Sequence, residues 1–256
     1  MKKITLNLKN KNVILTGGSG FLGNQITNAL LNESANVYIV DIKKPKNKTS
    51  AKFFKSDITN EKNLNKILKF FKTKKIKIDV LINNAAIDYP PSKSKKNNFK
   101  LEGFSNSLWD KDISVSLKGS YLCTKIFGSY MSRFGKGSII NVSSDLGIIA
   151  PDQRIYKNSS FVKPVTYSVV KHGIIGLTKY TASYWGEKNI RCNAIAPGGI
   201  YNNQDKSFIK KLNRLIPLGR MAKKNEYNGL ILFLCSDISS YITGSIIVAD
   251  GGRTII

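Results

Sequence analysis

Thr16-Gly-Gly-Ser-Gly-Phe-Leu-Gly23 follows the short apolar run Val13-Ile-Leu15 and opens a helical pattern. Gly18, Gly20 and Gly23 fit G-x-G-x-x-G, a spacing that lets a pyrophosphate approach backbone N–H groups at a helix start. The expected contacts are Gly17, Gly18, Ser19, Gly20, Phe21, Leu22 and Gly23. A lone match is only suggestive. Its weight comes from its place after a strand and from an acidic residue closing the second strand. That residue is Asp41, 23 positions past Gly18. Its carboxylate suits the hydroxyls of an adenosine ribose and repels a 2′-phosphate, so NAD is expected in preference to NADP. Lys43 and Lys44 soften that preference, and an ordinary turn residue is the plain alternative for Asp41.

The same alternation of strand and helix continues outward from this loop. Val37-Tyr-Ile-Val40, Val80-Leu-Ile82, Ser138-Ile-Ile-Asn-Val142, Arg191-Cys-Asn-Ala-Ile195 and Ile246-Ile-Val248 read as strands, with a weaker one over Lys52 to Lys55. Leu64, Ile67, Leu68 and Phe71 recur at i, i+3, i+4 and i+7, as one buried helix face does. Leu230, Ile231 and Leu234 recur similarly. Apolar strands alternating with helices imply an α/β fold: a doubly wound, Rossmann-type parallel sheet of seven strands, covered on both faces. No repeat or Pro/Gly-rich linker divides the chain, so residues 1–256 are expected to form one domain.

Composition narrows the chemistry. His172 is the only histidine, which removes Ser-His-Asp catalysis and nearly all histidine-ligated zinc, so no metal is expected. Cys123, Cys192 and Cys235 are odd in number and widely spaced, and read as buried thiols in a reducing compartment. There is no long apolar span and no signal-peptide pattern, so a cytoplasmic protein without membrane insertion is expected. The net charge is +25, with pI near 9.9. The excess is dispersed lysine with only six arginines, a pattern that coding bias alone produces. Lys93, Lys95 and Lys96 make one small cluster. No aromatic–basic motif accompanies the charge, so a nucleic-acid partner is not expected. A small anionic substrate fits a positive field better.

In open parallel sheets, ligands bind beyond the carboxyl ends of the strands, and the remaining polar motifs all fall there. Asp57 ends the third strand, placed either to meet an adenine amino group or simply to close a turn. Asn83-Asn84-Ala85-Ala86 closes the fourth, where small side chains let a flat ring lie against the backbone. Asn141-Val-Ser-Ser144 ends the fifth and Ile195-Ala-Pro-Gly-Gly-Ile200 the sixth. Pro164 suits the first turn of a helix that carries Tyr167 and Lys171 on one face. A close ammonium favours the phenolate and is expected to lower the tyrosine's pKa toward neutrality. Asp250-Gly-Gly252 is assigned to chain termination and packing.

Taken together, the glycine loop, Asn-Asn-Ala-Ala, Ser-Ser, Tyr-x-x-x-Lys, Pro-Gly-Gly and the closing segment Ser239 to Gly252 resemble the short-chain dehydrogenase/reductases of the single-domain type. The resemblance implies an NAD(P)-dependent oxidoreductase that interconverts hydroxyl and carbonyl groups. Tyr167 would be the general acid/base, Lys171 would bind the nicotinamide ribose and acidify Tyr167, and Ser144 would orient the substrate oxygen. Ser116 stands where the family usually has an asparagine of its proton relay. The resemblance further assigns Asp41, Asp57, Ile58, Asn84, Ala85, Ala86, Pro197, Gly198 and Ile200 to the cofactor. It also implies a homo-oligomer, tetramer or dimer, with the helices around Tyr121 to Phe127 and Ile174 to Tyr180 as candidate interfaces.

Ser144 and Tyr167 stand farther apart than is usual in the family, and the extra residues, Pro151 to Lys163, read as a loop over the substrate. Segments 88–108, 150–163 and 201–215 are the expected substrate loops. Arg154, Asn202 and Gln204 are the candidate substrate ligands, although a solvated loop charge explains Arg154 equally well. Arg220 is expected to pack structurally. The insert and Pro164-Val-Thr-Tyr-Ser resemble reductases of bacterial flagellin-modification and surface-polysaccharide pathways, implying a sugar or sugar phosphate substrate. A 3-oxoacyl-thioester reductase of lipid synthesis and a non-catalytic dinucleotide sensor or nucleic-acid binder are the alternatives.

Overall fold

The computed structural model describes residues 5–89, 99–157 and 161–256. The cluster Lys93, Lys95 and Lys96 lies outside the described residues. Seven parallel strands form one sheet in the order β3-β2-β1-β4-β5-β6-β7. They are β1 (Asn12–Thr16), β2 (Asn36–Asp41), β3 (Lys52–Lys55), β4 (Val80–Asn83), β5 (Gly137–Val142), β6 (Ile190–Pro197) and β7 (Ile246–Ala249). Strand order reverses between β1 and β4, which opens a crevice at their carboxyl ends. The fold is a single Rossmann-like domain.

Both faces of the sheet are buried, which is why its strands are continuously apolar rather than alternating. Ile14, Tyr38, Leu81, Ile139 and Cys192 point to one face. Val13, Leu15, Val37, Ile39, Ile82, Ile140 and Ile195 point to the other. The first face is covered by α2 (Glu61–Thr73), by the helical stretch 106–134 and by α6 (Val165–Trp185). The second is covered by α1 (Phe21–Asn32) and α8 (Asn228–Cys235).

Local sequence explains these helices. In α2, the Asn60 side chain accepts from Asn63 N–H at 3.1 Å, Glu61 sits in the first turn and Lys72 in the last. Leu64, Ile67, Leu68 and Phe71 are its buried stripe, as their spacing requires. Phe71 meets Tyr38, Phe54 and Phe70 in an aromatic cluster. The stretch 106–134 contains α3 (Asn106–Asp112), α4 (Gly119–Cys123) and α5 (Ser129–Met131), with π-turns at Ile113–Lys118 and Thr124–Gly128. Such turns frequently mark functional positions, and the first carries Ser116.

A satellite cluster caps the carboxyl edge. Phe99, Ile155, Tyr156, Phe161, Leu212 and Ile216 are buried against one another, together with Phe208 of α7 (Lys206–Asn213). Described residues from all three expected substrate loops contribute to it, while 90–98 and 158–160 lie outside the described residues. Phe71→Ala removes a fully buried ring from the main core. It is expected to lower the unfolding free energy by about 3–5 kcal/mol in urea titration, and an effect under about 1 kcal/mol would contradict the packing described.

Candidate active site

The glycine loop lies at the crevice, and Gly17 and Gly23 are sterically required. Gly17 has φ +67°, and a Cβ there would stand 2.8 Å from Ala85 Cα. A Cβ on Gly23 would come within 2.0 Å of the Gly17 carbonyl oxygen. The Thr16 hydroxyl accepts from Asn84 N–H and Ala85 N–H, each at 3.1 Å, and donates to the Ile82 carbonyl at 3.4 Å. Asn84 Nδ2 donates back to the Thr16 and Gly17 carbonyls, each at 3.1 Å. The ends of β1 and β4 are therefore locked together. Thr16 was missed in the sequence because its role depends on a neighbour 68 residues away.

Several features of this loop fit a dinucleotide. Helix α1 has Gly20 at its N-cap, with no side-chain cap and no acidic residue in its first turn, so its N-terminus suits an anion. Ser19 Oγ is buried without a hydrogen-bond partner among the described residues. Asp41 accepts from Ser19 N–H and Lys43 N–H, each at 3.0 Å, which holds its carboxylate at the loop's rim. Asp57 accepts the Thr59 N–H and hydroxyl at 2.8 Å, the turn-closing role that sequence left open. Buried Ile58 packs where Gly119 leaves room for it. On the far side, Gly198 N–H donates to the Ala249 carbonyl at 3.0 Å and the Tyr227 hydroxyl to the Gly198 carbonyl at 3.2 Å. Ile200 pairs with Ala222, so Pro197, Gly198 and Ile200 form a rigid wall.

Ser144, Tyr167 and Lys171 come together beside this crevice. Ser144 follows β5 and its side chain lies beside Tyr167, which sits in the first turn of α6. Lys171, one turn on, is buried and donates to the Val142 carbonyl at 3.0 Å, and its Nζ lies 5.6 Å from the Tyr167 ring centroid. Ser143 Oγ donates to the Lys171 carbonyl at 2.8 Å, which ties α6 to the end of β5. Ser144 also donates to Asp145 at 2.8 Å, and Asp145 is held by Arg253 at 2.7 Å in a nearly fully buried ion pair. Asp250 positions that arginine by accepting from Gly252 N–H and Thr254 N–H. Asp145 and Arg253 are 108 residues apart, and no local signal announces their pairing.

The electrostatics correct one expectation. The Tyr167 phenol is not acidified in this structure. Burial pushes it well above the ordinary tyrosine value, the Asp88 and Asp145 charges add to that, and the neighbouring Ser144 hydroxyl opposes it. The amine shifts for the same reason: burial pushes Lys171 down to about 8, with Asp88 working against that shift and Lys163 adding to it. Desolvation disfavours both charged forms, and it outweighs attraction at this separation.

Other expected residues take up different roles. Ser116 is buried and accepts Ile87 N–H at 2.9 Å, so its hydroxyl pins the exit of β4. Arg154 turns away from the site: it is 87% exposed and paired twice with Asp152 of its own turn, at 2.9 and 2.8 Å. Gln204 uses both ends of its amide on its own loop, donating to the Ile200 carbonyl and accepting from Asn202 N–H. Asn202 itself is exposed. Arg220 pairs with Glu226 at 2.7 Å, a structural role. The insert instead sends Lys163 inward, between Asp88 and the Tyr167 ring.

The profile of the enoyl-(acyl carrier protein) reductase family matches residues 19–254. An NAD-dependent glycerol dehydrogenase of Listeria innocua is 31% identical, covering 97% of this chain and 96% of its own. The 3-oxoacyl-[acyl-carrier-protein] reductase FabG of Thermotoga maritima is 33% identical, covering 98% and 100%. Post-translational flagellin modification protein A of Campylobacter coli is 28% identical, covering 96% and 98%. The crystal structure of a short-chain dehydrogenase from Leptospira borgpetersenii with bound NAD+ superposes with a TM-score of 0.87, at 31% identity, covering 97% and 94%.

This chain belongs to the short-chain dehydrogenase/reductase family.

The short-chain dehydrogenase is thus an enzyme of alcohol and carbonyl groups that uses a nicotinamide dinucleotide. Among the described residues no helix is long and apolar enough to cross a membrane, and no group of three His, Cys, Asp or Glu could hold a metal ion. Gly17→Ala is expected to weaken NADH binding about tenfold or more, equivalent to about 1.4 kcal/mol, in a fluorescence titration. Unchanged affinity would contradict the close packing of the loop on Ala85.

Proposed function

We propose that this enzyme interconverts a hydroxyl and a carbonyl on a small polar substrate, a sugar or sugar phosphate used in glycan-precursor synthesis, with NAD(H) preferred. The observation that carries the catalytic reading is the convergence of Ser144, Tyr167 and Lys171, with the Lys171 ammonium 5.6 Å from the Tyr167 ring and anchored on the end of β5, beside the crevice. The dinucleotide, when bound, supplies or takes the hydride. Tyr167 gives its proton to the carbonyl oxygen during reduction and takes it back during oxidation. Ser144 holds that oxygen in line, its own orientation set by Asp145. Lys171 keeps Tyr167 and the ribose side of the crevice in register. Asp41 at the rim supports NAD as the preferred dinucleotide.

Support for the polar substrate comes from the likeness to the glycerol dehydrogenase and the flagellin modification protein. The cap supports it too, since its apolar side chains Phe99, Ile155, Phe161 and Leu212 pack against one another. The likeness to carrier-protein reductases favours the thioester alternative. NADH oxidation with keto sugars and with acetoacetyl thioesters separates the two: turnover with thioesters alone would reject the sugar assignment. Tyr167→Phe is expected to lower kcat by about 10²–10⁴-fold while NADH still binds. Undiminished turnover would reject the mechanism.

The same reading includes a cytoplasmic homo-oligomer. The three cysteines are free and buried, as suits a reducing compartment. Tyr121, Val169, Tyr180 and Tyr184 are exposed, and Tyr180 and Tyr184 stack on each other at 5.8 Å. Within the expected interface Phe127 and Ile174 belong to the core, whereas Lys125, Gly176 and Lys179 are exposed beside Tyr121 and Tyr180. Tyr180→Glu combined with Tyr184→Glu is expected to yield monomers in light scattering. An unchanged assembly, or a monomeric parent, would reject this surface.

A further inference from the structure

Lys163 is the residue through which the insert reaches the reacting centre. Its Nζ stands 3.7 Å from the centroid of the Tyr167 ring, closer than Lys171 at 5.6 Å. The same Nζ donates to Asp88 Oδ1 at 2.6 Å, and its side chain is only 10% exposed. The backbone around it is anchored: Lys163 N–H donates to Gln153 Oε1 and Gln153 Nε2 donates to the Lys163 carbonyl, both at 3.0 Å. Pro164 then starts α6, which leaves little freedom between the anchor and Tyr167.

A cation over an aromatic face is attracted by the ring, and more strongly when the ring oxygen carries negative charge. A carboxylate near the same ring acts in the opposite direction. The groups facing Tyr167 are Asp88 from the exit of β4, Ser144 and Asp145 from that of β5, Tyr156 and Lys163 from the insert, and Lys171 from α6. Lys171 is tied to the Val142 carbonyl, whereas Lys163 lies on the ring itself.

Resting on the acid/base role of Tyr167 given above, we propose that Lys163 is a positioning residue that stabilises the phenolate left when Tyr167 gives up its proton. Asp88 is its counter-ion and sets how much of the lysine's charge the ring feels. The insert thereby couples a substrate loop to the proton-transfer step, a link that Tyr-x-x-x-Lys alone does not contain. During reduction the Tyr167 O–H bond breaks, the proton passes to the substrate oxygen and the electron pair stays on the phenolate whose ring face Lys163 covers.

The test reads the phenol directly. Tyrosines are replaced by 3,5-difluorotyrosine, which ionises at lower pH, and the NAD+-loaded protein is titrated by ¹⁹F NMR with the Tyr167 resonance assigned by Tyr167→Phe. Lys163→Met is expected to raise the ionisation midpoint by about 1 unit, and Asp88→Asn to lower it. Lys163→Arg should leave it near that of the parent. Lys163→Gln serves equally if methionine perturbs the insert. A midpoint not raised by loss of the lysine's charge overturns the proposal, whatever Asp88→Asn does. A midpoint moved as far by Lys163→Arg as by Lys163→Met also overturns it, because that pattern reports loop rearrangement. The titration needs no turnover, so it stands apart from any failure of the substrate assignment.

Discussion

The arrangement depends on one contact, the lock between the ends of β1 and β4. These strands lie side by side where strand order reverses, and the Thr16 hydroxyl serves Asn84, Ala85 and Ile82 at once. Gly17 can touch Ala85 only because neither a side chain nor a negative φ is required of it. From this seam the glycine loop, the α1 N-terminus and the exit of β4 take fixed places. Ser116 then pins Ile87 from the π-turn below, one residue from Asp88. A shift at the seam would propagate to both the phosphate side and the proton-transfer side of the crevice.

The side of the crevice that carries Ser144 and Tyr167 is held by polar groups that are buried and paired. Arg253 and Asp145 exclude water from behind Ser144, and a buried pair of this kind is costly to break because one charge would be left alone. Asp112 works similarly on the other flank, accepting the hydroxyls of Tyr89 at 2.8 Å and Thr166 at 2.5 Å. Thr166 precedes Tyr167, so this bond orients the first turn of α6. The site is therefore rigid around Ser144 and Tyr167, and the cap that covers it draws its apolar residues from the substrate loops and from α7.

The fold was legible because its signals are local or periodic. Every strand read from an apolar run is present, and the Leu64 to Phe71 stripe lies buried in α2 as its spacing required. The glycine loop and the Tyr167–Lys171 pair were legible for the same reason, since their geometry follows from the elements that carry them. What failed was side-chain direction within the cap. Arg154 was a reasonable candidate by charge, yet Asp152 two residues earlier captures it, while Lys163 turns inward through an anchor formed by Gln153. The direction of the Tyr167 shift also escaped the sequence. Spacing reports that an amine is near, but not how completely both groups are removed from water, and burial is the larger effect here.

The account stands on a phenol that meets the substrate at the dinucleotide's reactive carbon, in a crevice built at the β1/β4 seam. A crystal structure with NADH and a keto sugar tests it most directly. The account expects the pyrophosphate at the start of α1, the substrate oxygen held between Ser144 and Tyr167, and the carbonyl carbon about 3–3.5 Å from nicotinamide C4. A nicotinamide ring seated away from Tyr167, or a substrate oxygen that touches neither hydroxyl, would contradict it.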